Sequence, residues 1–275
     1  MTAGQSARPV PARDGVAWLK QAMALIRGQA LRLLVLGLML QFLAGMTQVG
    51  LFGLLFFLCV PVFTAGMLQA VHLAAAGSRP PLLTLFAGFR TPLSLSRLVM
   101  LGALGLGMVI ATVGWTISGI LTGLEPQLLE RLQAGDTQAV AELDPGTLQQ
   151  VLVGLAAGVL FSGSLGYFAI PLIWFERLPF WNAVAKGLAG LVRHWRALLV
   201  MGALLALIAV PVVVLVSLSL SMQFADGQTS PVLNLLLMLA VVGYQLLLFA
   251  TQYVSYRAAF PVGEKLPPPA GQLVA

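Results

Sequence analysis

Five stretches of this chain contain no Asp, Glu, Lys or Arg: Leu33–Ser78, Leu98–Leu124, Pro145–Phe175, Ala197–Ala225 and Gly227–Tyr256. A helix needs about 20 predominantly apolar residues to cross a bilayer. The first run is long enough for two crossings with a turn near Thr47–Gly50, and the other four for one each. The expected fold is therefore all-α: a polytopic membrane helical bundle with six transmembrane helices, at residues 31–46, 51–74, 98–121, 148–175, 197–222 and 231–256. A β-barrel is excluded, because its strands alternate apolar and polar residues over segments of only about 10 residues. A soluble fold is excluded by charge: 9% of residues are charged, against roughly 25% in soluble domains.

The cations assign a topology. With six spans, fourteen of the fifteen Lys and Arg fall on one side and only Arg131 on the other, while six of the nine acids accompany Arg131. This positive-inside pattern predicts that both termini are cytoplasmic. It also makes the net charge of +6 a signature of anionic lipid headgroups rather than of nucleic acid. Residues 13–260 form one membrane domain, and residues 1–12 and 261–275, rich in proline, are expected to be disordered cytoplasmic tails.

Short amphipathic segments punctuate the spans. In the first, Arg13, Lys20 and Arg27 recur every seven residues beside an apolar stripe of Val16, Leu19, Met23 and Ile26. That period makes a helix lying in the membrane interface, with Trp18 at headgroup depth. The alternative is a plain extension of the first span. The second segment, 178–195, repeats the device: Phe180, Val184, Leu188, Leu191 and Trp195 are apolar, and Lys186 and Arg193 are again seven apart, followed by Arg196. The two align without gaps at an offset of 166, Lys20 on Lys186 and Arg27 on Arg193. The stretch from Leu82 to Arg90, too short to span, reads as an interfacial elbow and a weaker third copy. Three units follow, each an interfacial helix and a two-span hairpin.

Within the spans, Gly154, Gly158, Ser162 and Gly166 place a small residue every fourth position, which permits close backbone approach of another helix. Span three, with Ala103, Gly107 and Ala111, is one partner; a second copy in a homo-oligomer, or another membrane protein, is the other. Pro61, Pro171 and Pro211 are expected to kink spans two, four and five.

Chemistry-bearing patterns are missing. No ionisable residue lies in the middle of a span, where a coupled transporter keeps them. The in-span polar residues are Gln41, Gln48, Gln150, Asn234, Tyr244, Gln245 and Gln252. No nucleophile elbow, zincin, Walker or dinucleotide motif occurs. His72 and His194 lack companion ligands and read as structural or headgroup contacts, so no metal and no cofactor is expected. The five acids of the 122–146 loop lack the spacing of a Ca²⁺ loop. Cys59, the lone cysteine, reads as a small buried hydrophobe.

The opening Val10-Pro11-Ala12-Arg13-Asp14-Gly15-Val16-Ala17-Trp18-Leu19 and the closing Tyr253-Val254-Ser255-Tyr256-Arg257, followed by Phe260, resemble a family of uncharacterised six-span inner-membrane proteins of proteobacteria. That family is distantly similar to the membrane domain of bacterial glycerophosphodiester phosphodiesterases. The resemblance implies an architecture and a bacterial host, and no activity. Where the family often has an acid after the closing Tyr-Arg, this chain has Ala258. The function these features point to is a non-enzymatic scaffold or accessory protein that binds anionic lipid or a partner through Arg13, Lys20, Arg27, Lys186, Arg193 and Arg196. A transporter or scramblase of lipids or other amphiphiles, gated at the prolines, is the alternative.

Overall fold

The computed structural model describes residues 11–46, 51–121, 131, 145–226 and 230–261. In chain order the described elements are α1 (Asp14–Gly28), α2 (Ala30–Gly45), α3 (Leu51–Ala75), a 3-10 segment (Leu82–Arg90), α4 (Pro92–Leu121), α5 (Pro145–Phe175), α6 (Phe180–Arg193), α7 (Trp195–Asp226) and α8 (Pro231–Ala259). No strand occurs among the described residues.

Five helices, α3, α4, α5, α7 and α8, are long and apolar enough to cross a membrane. The first expected span differs. α2 has 16 residues, a rise of about 24 Å, short of a hydrocarbon core of about 30 Å. It qualifies only jointly with α1, across a 96° bend at Gln29. Among the described residues, the helices long and apolar enough to span therefore number five, or six if the bent pair counts as one.

Local chemistry sets the helix ends. α3 stops in a Schellman turn: Gly77 takes φ +73°, and the amides of Ser78 and Gly77 donate to the carbonyls of Leu73 and Ala74. Glycine accepts that left-handed backbone without a Cβ penalty. Three short elements pass into long helices through a single non-helical residue: α1 through Gln29, the 3-10 segment through Thr91 and α6 through His194. α1 begins at Asp14 and α6 at Phe180, positions related by the same offset of 166.

The core lies where α3, α5 and α8 end. Phe168, Leu172 and Ile173 of α5, Met67, Leu68 and Val71 of α3 and Tyr256 of α8 are fully buried. α3 is the central helix, 61% buried in its most apolar window against 11% for α7. The 3-10 segment lies directly on α3, since a Cβ at Gly66 would strike the Leu85 carbonyl and one at Gly88 would meet Val62. α1 crosses the first turn of α7 just as closely, with Gly15 against the Ala197 carbonyl. Trp18, expected at headgroup depth, is 3% exposed and packed into the core of the bundle. It shares a helical face with Gly15, Leu19 and Ala22, all buried, and that face is pressed inward where α1 meets α7 and α8.

Candidate functional site

α6 carries three distinct faces. Phe180, Ala183, Val184, Gly187 and Gly190 are buried against the bundle. Gly187 abuts Phe168 and Ala169 of α5, and Gly190 abuts the ring of Phe260 beyond α8. Next around the helix come Trp181 (70% exposed), Leu188 and Val192 (73% exposed), an exposed apolar edge at i, i+7 and i+11, and the first residue of α7, Trp195, is exposed as well. Beyond that edge are Lys186 and Arg193, both exposed. The expected stripe of Phe180, Val184, Leu188, Leu191 and Trp195 therefore straddles a boundary: its first two residues pack on the protein, Leu191 is half-buried, and Leu188 and Trp195 are exposed. The two glycines let one flank approach α5, and that rotates the other flank outward.

α1 follows the same plan with less apolar exposure. Arg13, Lys20 and Arg27 are all exposed on one stripe. Leu19 is buried and Met23 and Ile26 pack on the core, while Val16 is exposed. α1 and α6 belong to the same end of the molecule, since α1 covers Ala197, four residues after the end of α6.

Beneath these helices lies a polar knot built from the ends of α3, α5 and α8. Glu176, just past α5, accepts from Lys186 Nζ at 2.6 Å and from the Tyr256 hydroxyl at 3.3 Å. Phe175 stacks on Tyr256 at 5.7 Å between centroids. His72 Nδ1 is hydrogen-bonded to the Tyr253 hydroxyl at 2.8 Å, and Trp174 Nε1 donates to Gln69 at 3.0 Å. Arg177 has φ +57°, a left-handed conformation costing a non-glycine residue roughly 1–3 kcal/mol. The turn is held by Arg97 of α4, whose guanidinium donates to the carbonyls of Arg177 (2.7 Å) and Leu178 (3.1 Å). α6 is thus fixed to α5 by a clamped turn and by an ion pair. Lys186 also lies 5.4 Å from the ring centre of Phe260, so one of the expected lipid-contacting cations is engaged within the protein.

Pro171 sits inside α5. A proline has no N–H, so the carbonyl four residues earlier loses its helical partner. That carbonyl belongs to Tyr167, and Gln252 Nε2 of α8 donates to it at 2.7 Å. Ser255 Oγ donates its proton to the Gln252 carbonyl at 3.1 Å, so the Tyr167 hydroxyl is the donor in its 2.8 Å bond to Ser255. Pro61 and Pro211 also lie inside continuous helices, α3 and α7.

His194, the joint between α6 and α7, is 2% exposed, and its Nδ1 has no hydrogen-bond partner. It is a buried residue, not a headgroup contact. Burial, and then the Arg193 charge, hold its imidazole below the ordinary range, which favours the neutral form. His72 is likewise turned inward, onto Tyr253.

The small-residue ladder of α5 faces α4. A Cβ at Gly154 would strike the Thr116 side chain, and one at Gly158 would lie 3.1 Å from Val109 Cα and 3.3 Å from Thr112 Cβ. Ser162 lies against Gly105. Gly166 meets only Ile170 of its own helix. The partner face differs from the expected row: Ala103, Gly107 and Ala111 are exposed. Gly102 seats α4 on the Leu58 carbonyl of α3, and that contact sets the rotation which turns the row outward. Cys59 is half-buried. The acidic loop 122–146 lies outside the described residues apart from Arg131 and the start of α5.

No protein-family model matches this chain, and no curated protein or solved structure is detectably similar to it.

Proposed function

We propose that this chain is a multi-pass protein of a bacterial inner membrane, with both termini cytoplasmic, acting without catalysis as a scaffold or accessory protein that holds anionic lipid at its basic end. The observation that carries the proposal is the three-faced α6. A helix with one flank fastened to a bundle, one flank apolar and exposed, and one flank cationic is suited to lie at the headgroup boundary. Trp181 and Trp195 suit that depth. Each cation near an anionic surface contributes about 1 kcal/mol of attraction; with Lys186 paired to Glu176, Arg193 and Arg196 carry most of that preference.

The resemblance to six-span proteobacterial membrane proteins supports the bacterial placement. Its closing motif supplies Tyr253 and Tyr256 of the polar knot and Ser255, the partner of Tyr167. The rival reading, a transporter or scramblase, uses the prolines as hinges. Gln252 ties the freed carbonyl at Pro171 to α8, which suits a fastened bend better than a swinging one.

The test uses nanodiscs of mixed phosphatidylglycerol and phosphatidylcholine. After extraction, native mass spectrometry of the wild type is expected to show phosphatidylglycerol enriched over its bulk share, less so at higher salt. The K186Q/R193Q/R196Q variant is expected to lose most of that enrichment. Unchanged enrichment sinks the lipid-binding proposal, and lipid translocation above protein-free liposomes returns weight to the rival.

A further inference from the structure

A groove of about 340 Å³, open to the outside, runs between α2 and the 3-10 segment. It is lined by Val35, Leu38, Met39, Phe42, Leu43 and Phe86. We infer that this groove holds one acyl chain of an anionic phospholipid whose phosphate is met by Arg32. The inference rests on the membrane placement proposed above, but on none of the α6 cations.

The argument starts from spacing. Arg32, Val35, Met39 and Leu43 recur at intervals of three and four, so they share one face of α2. Arg32 lies in the first turn, next to the joint with α1, and is exposed. From Arg32 to Leu43 the helix rises about 16 Å. One wall therefore runs from a cation at the basic end into purely apolar depth, the charge distribution of an anionic lipid. The facing wall is fixed independently: Leu85 rests on Gly66 of α3, and Phe63 of α3 and Phe89 flank Phe86 at 6.0 and 6.3 Å. Phe42, at 73% exposure, lies at the open side. A chain seated here touches side chains on two sides, which a lipid against a convex helix does not. An Arg–phosphate bond is charge-assisted and can be bidentate, and it favours an anionic headgroup over zwitterionic phosphatidylcholine, whose own ammonium competes for the phosphate and repels the guanidinium.

The test uses the full-length protein in nanodiscs containing phosphatidylglycerol and phosphatidylcholine, delipidated stepwise and followed by native mass spectrometry. The wild type is expected to keep a last phosphatidylglycerol. Arg32→Gln is expected to lower that retained fraction about tenfold, the size of one lost charge-assisted hydrogen bond, and Arg32→Lys to recover part of it. Met39→Trp, which fills the groove without altering charge, is expected to lower it comparably; if that variant fails to fold, the exposed Arg32 pair still decides. Equal retention of both lipids, or retention unchanged in Arg32→Gln, overturns the inference and leaves annular lipid only. Loss in K186Q/R193Q/R196Q but not in Arg32→Gln overturns it while sparing the proposed function, and the reverse pattern separates the two the other way.

Discussion

Pro171 cannot close a hydrogen bond to Tyr167, and in hydrocarbon an unpaired carbonyl costs several kcal/mol. Gln252 resolves that local problem with a residue 85 positions along the chain. The pairing makes a double-mutant prediction. Gln252→Leu is expected to destabilise the protein by about 1 kcal/mol, the usual worth of an interhelical hydrogen bond in membrane proteins. In a Pro171→Ala background, where the helix recovers its own N–H donor, the same substitution is expected to cost much less. Unfolding in mixed micelles measures both, and an equal cost in the two backgrounds disproves the assignment. Gln252 stands out in the sequence as a polar residue inside a span, but its partner does not. The acceptor is a backbone carbonyl, which has no side-chain signature, and proline marks only where it lies. The same holds for Glu176. Its break from the apolar run is visible, whereas its bonds to Lys186 and Tyr256 depend on how α6 folds back.

For whole elements, periodicity reveals that a face exists and leaves open where it points. The ladder of α5 is legible as Gly154, Gly158 and Ser162 because close packing needs small residues at one spacing. The face of α4 that receives them is Gly105, Val109, Thr112 and Thr116, too mixed in size to be recognised as a row. Trp18 illustrates the same point: it stands on an amphipathic helix where both the interface and the bundle accept an aromatic ring, and the approach of Gly15 to α7 turns it into the bundle. The ladder carries a contrast within one helix. Gly158 faces α4, whereas Gly163 has nothing within 4 Å of an added Cβ. Gly158→Leu is expected to part α4 from α5 and destabilise the fold by about 1–3 kcal/mol, the usual cost of overpacking. Gly163→Ala is expected to be neutral or to stabilise by up to about 1 kcal/mol, through helix propensity. Thermal unfolding in detergent reads both. A Gly158→Leu protein that keeps its stability but changes oligomeric state would instead make the ladder a surface between copies.

Taken as a whole, the molecule brings the start of α1 and the end of α8 together. α1 packs on the first turn of α7, α6 ends where α7 begins, and Tyr253 and Tyr256 of α8 meet His72 and Glu176 near the ends of α3 and α5. The start of α1 and the end of α8 are thus at one end of the described fold, and a chain with its ends so placed is expected to cross an even number of times. That agrees with the excess of Lys and Arg on one side of the expected topology, which the sequence displays because charge is expensive to translocate. Less legible is whether α2 crosses completely, because its 16 residues stop short and residues 47–50 lie outside the described part. Reporters fused to the two termini are expected to register the same, cytoplasmic, side; opposite sides would overturn the shared-end geometry. Depth at the turn is a separate question with its own probe. Cys59 is the only cysteine, so Cys59→Ala gives a thiol-free background for Gln48→Cys. Labelling of that thiol by a membrane-impermeant reagent from the side opposite the termini makes α2 and α3 two complete crossings, and the protein six-span. If the thiol is protected from both sides, the α2–α3 turn stays inside the bilayer and the pair is re-entrant, with the parity of the termini unchanged. The first outcome is the expected one. α3 begins at Leu51 as an unbroken 25-residue helix, a rise of about 37 Å, more than a hydrocarbon core of about 30 Å requires.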